Sequence, residues 1–64
     1  MKIKNTLNQL KESSEQLQED IFEANRMKND WLRSDLMNAF RSLNLTIKNL
    51  EAALENLNDY QSNK

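Results

Sequence analysis

Two pairs of carboxylates at helical spacing, Glu12 with Glu15 and Glu19 with Glu23, come nearest in this chain to an acid/base device. Charged side chains at such spacing are also the ordinary surface of a helix, and these pairs read as a solvated acidic face. The chain has no His and no Cys. That removes the commonest general base, the thiol nucleophile and the usual zinc and thiolate ligands. A di-metal helical bundle built on Glu-x-x-His is excluded for the same reason. The serines Ser13, Ser14, Ser34, Ser42 and Ser62 have no evident activating partner. With no Gly, a phosphate-cradling loop cannot form. The expectation is a protein that is not an enzyme, with no catalytic, cofactor-binding or metal-binding residue and no cofactor.

Binding chemistry is better represented, and it gathers in one stretch. Trp31, the single Trp, stands with Met27, Leu32 and Met37 where a helical connection would usually be polar. Tryptophan anchors partners at interface centres and methionine adapts to irregular surfaces, so these four residues are the candidate partner-binding set. A plug closing the core over a layer of Lys28 and Leu36 is the structural alternative for Trp31. Arg26, Lys28 and Arg33 lie around the same tryptophan, and a basic tip with an aromatic could hold a single strand or an RNA loop. Asp30 and Asp35 interleave with them, and 9 basic against 10 acidic residues give a net charge of −1. Nucleic acid is therefore the weaker alternative. A tryptophan at the turn of a helical hairpin resembles the small WXG-type secretion proteins, although Trp31-Leu32-Arg33 lacks their glycine. A hairpin dimer is similar in architecture to the plasmid copy-number Rop family, with no shared residue motif.

The elements that must position these residues follow from periodicity. Ile3, Leu7, Leu10, Ser14, Leu17, Ile21, Ala24 and Lys28 recur in steps of four and three, and Trp31 extends the series. Leu36, Phe40, Leu43, Ile47, Leu50, Leu54 and Leu57 form a second series. The step from Trp31 to Leu36 is out of phase by roughly 140°, at about 100° per residue. One straight helix cannot point both series at one partner. The reading is an all-α, antiparallel, coiled-coil-like two-helix hairpin forming one domain over residues 1–64. Helix 1 spans about 2–29, the turn about 30–34 and helix 2 about 34–60, with a frayed tail at 61–64. Asn29, Asp30 and Ser34 are all competent N-caps. Laying the helices back to back centres the hairpin near residue 32. It sets Leu7 against Leu57, Leu10 against Leu54, Ser14 against Leu50, Leu17 against Ile47, Ile21 against Leu43 and Ala24 against Phe40, with Lys11 facing Glu51 and Gln18 facing Asn44 on the flank.

A core of this size is marginal, and the chain has no disulfide to staple it. Phe22, Met27, Leu32, Met37, Ala39, Leu45, Ala52, Ala53 and Tyr60 fall outside the seam and supply a second contact surface. The expectation is a homodimer completing a four-helix bundle. No window is apolar enough to span a membrane, the first residues do not read as a signal peptide, and the cytoplasm is the expected compartment. Functionally the chain reads as a protein-binding regulator, inhibitor or adaptor. The alternatives are a chaperone or escort subunit of a secretion or assembly machine, its seam completed by a client helix, and a nucleic-acid-binding dimer.

Overall fold

The protein is described over residues 1–62 by a computed structural model. Among these residues there are two α-helices, α1 (Ile3–Arg26) and α2 (Asp30–Ser62), and no strand. They pack along one another as a hairpin measuring 55 × 15 × 12 Å. The chain contains no Gly or Pro to interrupt either helix. α1 starts without a side-chain cap: the Thr6 N–H and hydroxyl both donate to the Lys2 carbonyl, at 3.1 and 3.3 Å.

The seam lies where the periodicity puts it. Leu7, Ala24 and Ile47 are buried, and every other seam residue from Ile3 to Ile21 and from Leu36 to Leu57 is partly covered. Lys28 and Trp31 are exceptions. Both are exposed, so the first series ends at Ala24 and neither residue plugs the core.

The turn comes earlier than the sequence reading has it, over residues 27–29 rather than 30–34. Lys28 takes φ 57°, the left-handed region. The Lys28 N–H donates to the Asn25 carbonyl and the Asn29 N–H to the Ala24 carbonyl, both at 3.1 Å. This pair of bonds is the Schellman arrangement, normally built on glycine. Asn29 then caps the next helix. Its Oδ1 accepts the Leu32 N–H at 3.1 Å, and its carbonyl accepts the Arg33 N–H at 3.0 Å. The absence of glycine and the 3–4 spacing of Lys28 and Trp31 together hide this turn from a sequence reading. α2 also continues through Gln61 and Ser62, where the sequence suggests fraying; positions 63 and 64 lie outside the described residues.

Moving the turn changes the register. Lys11 Nζ lies 3.7 Å from Glu51 Oε2, the pairing expected across the flank. Ser14 Oγ, however, donates to Asn44 Oδ1 at 3.1 Å, whereas the sequence reading sets Ser14 against Leu50 and Gln18 against Asn44. Ala24 borders one recess with Leu32 and Leu36, and Ile21 borders another with Met37 and Phe40. Residues removed from the connection join α2, whose early turns therefore slide down alongside α1. The hydroxyl–amide bond at Ser14 gives the polar seam position a partner, which a leucine could not have done.

Candidate protein-binding surface

Large apolar side chains crowd the turn end of the hairpin and stay in solvent. Phe22 is 73% exposed, Met27 62% and Trp31 85%. Leu32 and Met37 are also exposed. The four residues proposed from sequence as one partner site are present at the surface, but they do not form one patch. Trp31, Leu32 and Met37 all belong to α2. At about 100° per residue, Leu32 is turned 100° from Trp31, and Met37 about 120° from Trp31 in the opposite sense. Their closeness in sequence suggested a shared tip because α2 was expected to begin only at residue 34.

Two recesses flank the seam near the turn. One, of ≈ 310 Å³, is lined by Asp20, Glu23, Ala24, Met27, Leu32 and Leu36. The other, of ≈ 480 Å³, has Ile21, Phe22, Met37 and Phe40 as its apolar lining, with Gln18, Asn25, Arg33 and Arg41 around them. The first is acid-rimmed and the second basic. Phe22 and Phe40 bring aromatic rings to the larger recess from opposite helices, and Phe22 is the residue that sequence reasoning passed over in choosing its site. The signal for it was a large aromatic one position off the seam at Ile21.

Of the three basic residues proposed for nucleic acid, Arg33 lines the larger recess with Arg41, and Arg26 and Lys28 do not. Arg33 is half-buried and its Nη2 lies 3.6 Å from Asp30 Oδ1. Its Nε is buried with no hydrogen-bond acceptor. A guanidinium N–H withdrawn from water without an acceptor is costly. Arg26, in the last turn of α1, complements that helix's C-terminal dipole.

Among the described residues there is no group of three or more His, Cys, Asp or Glu side chains placed to hold a metal ion. No helix among them is long and apolar enough to cross a membrane. Comparison of the chain with protein-family models, with curated protein sequences and with solved structures found no match.

The area left in solvent is large for the mass. The chain exposes 5403 Å². A compact globule of 7.6 kDa exposes about 4,300 Å² by the usual scaling, some 1,100 Å² less. A standard interface covers about 800 Å² on each partner.

Proposed function

We propose that this chain is a non-enzymatic, protein-binding helical hairpin, acting as an adaptor or regulator through its turn end. One observation carries the reading: the large apolar side chains around the turn are solvent-exposed, in a molecule whose own buried apolar residues are Leu7, Ala24 and Ile47. The recess between Phe22 and Met37 suits one face of an amphipathic helix, with Arg33 and Arg41 receiving a carboxylate of that helix. Trp31 adds a second hold on the outer side of α2. The same excess of exposed area supports self-association of the hairpin into a four-helix assembly, with the basic recess left open for a different protein.

The test is affinity capture from the source cells with four matched baits: wild type, Phe22→Asp, Trp31→Ala and Leu45→Lys. Both Phe22 and Trp31 are solvent-exposed, so the first two variants should retain the circular-dichroism spectrum of the wild type. A protein captured by wild type and Leu45→Lys, and lost from Phe22→Asp and Trp31→Ala, would carry the proposal. Capture indifferent to Phe22→Asp and Trp31→Ala would sink it.

A further inference from the structure

Apart from Asp35, the charges on α2 are confined to one arc. From Arg33 onward Arg33, Arg41, Lys48, Glu51, Glu55 and Asp59 fall within about 80° of helix circumference, on the side that borders the larger recess. The seam occupies the next arc. The remaining side of α2 is exposed and, beyond Asp35, carries no charge at all: Asn38, Ser42, Leu45, Asn49, Ala53 and Asn56 follow one another along it. In a chain with 30% charged residues, an uncharged exposed strip some twenty residues long is not a typical solvated face. Leu45, at 61% exposure, stands in its middle.

The strip has a second property, which decides what covers it. A two-fold interface presents the same surface on both subunits, so a helix pairing with its own copy antiparallel must complement itself when read backwards. Reversed about the midpoint between Leu45 and Thr46, Ser42 meets Asn49, Asn38 meets Ala53 and Asp35 meets Asn56. Small residues meet larger ones or amides, and no two charges are opposed along the strip. The acid-rich outer face of α1, with Glu12, Glu15, Glu19 and Glu23, stays clear of the pairing. The strip runs about 30 Å at 1.5 Å per residue, and the exposed area in excess of a compact globule, some 1,100 Å², exceeds the roughly 800 Å² that a standard interface covers on each partner.

We infer that two copies of this chain associate through this uncharged face, α2 against α2 antiparallel about the Leu45/Thr46 midpoint, with the two α1 helices on the outside. The inference rests on the self-association reading above and supplies its surface and register.

Because the native chain has no cysteine, single-cysteine variants test it directly. Solution mass is measured first on wild type by light scattering, and disulfide formation is then followed under mild oxidation. Leu45→Cys, beside the two-fold axis, is expected to cross-link to its own copy. Asn38→Cys is expected not to, because its two copies lie roughly 22 Å apart along the axis, beyond disulfide reach. Mixing Asn38→Cys with Ala53→Cys should restore the cross-link between unlike chains. A wild-type monomer at all concentrations would overturn self-association and this inference together. A dimer in which Leu45→Cys fails to cross-link, or Asn38→Cys links to itself, would leave self-association standing and overturn this face and register.

Discussion

Replacing Lys28 with glycine should stabilise the protein. Lys28 sits at φ 57°, where the Cβ of any L-residue crowds the following carbonyl. That conformation costs about 1–2 kcal/mol. Glycine removes the crowding but gives the unfolded chain more freedom to lose, a penalty of roughly 0.5–1 kcal/mol. The difference runs from about 0 to 1.5 kcal/mol in favour of Lys28→Gly, centred on roughly 0.7 kcal/mol. For a chain of this size it corresponds to a rise in Tm of roughly 2–8 °C. The lysine side chain is exposed, so its charge needs a control. Lys28→Ala removes the charge and keeps the Cβ, and should leave the midpoint within a few tenths of a kcal/mol, as surface changes do. The assay is urea and thermal unfolding followed by circular dichroism at one fixed protein concentration, since association would make Tm concentration-dependent. If Lys28→Gly proves no more stable than Lys28→Ala, the turn is not centred on a left-handed Lys28 and the register built on it fails.

Three further outcomes follow from the same geometry. Asn29→Ala removes the acceptor of the Leu32 N–H and should cost about 0.5–2 kcal/mol by urea unfolding, whereas Asn29→Asp should restore most of it; equal losses in both would mean that the side chain does not cap α2. Ser14→Ala and Asn44→Ala should each cost about 1 kcal/mol, and their double variant clearly less than the two combined, because both remove one hydrogen bond; strict additivity would place Ser14 against some other residue. Ile47→Ala should cost about 2–5 kcal/mol at a buried seam position, against less than about 1 kcal/mol for breaking the exposed Lys11–Glu51 pair with Lys11→Ala; comparable losses would show that the seam is not the core.

The helical class and the membership of the seam from Ile3 to Ala24 and from Leu36 to Leu57 were legible because 3–4 spacing reports which side of a helix is apolar. Where the helices change over was not. Lys28 and Trp31 satisfy the spacing by coincidence, and the left-handed turn residue is a lysine where a reader looks for glycine. The pairing of Lys11 with Glu51 was correct even though the layers beside it were displaced, since long flank side chains reach across an offset that Ser14 and Asn44 cannot. The candidate site was half legible. Composition pointed to Trp31, Met27, Leu32 and Met37 as exposed apolar residues, but their angular separation depends on knowing that α2 has already begun at Asp30. Phe22 and Phe40 border the larger recess from opposite helices, a juxtaposition that spacing along each helix does not display.

Asn29 serves both helices at once: its N–H closes the end of α1, and its side chain and carbonyl open α2. The three-residue connection thus works as an indexing gear with no free tooth, and the chain should be far less forgiving of a change in length here than of a change in residue. Adding or removing one residue between Arg26 and Asp30 would rotate α2 by about 100°. α1 would then face either the charged arc or the uncharged strip, and the apolar seam would be turned out to water. A frame-preserving insertion of a single codon at this point would recast which surface is core, which is recess and which is left for a second copy.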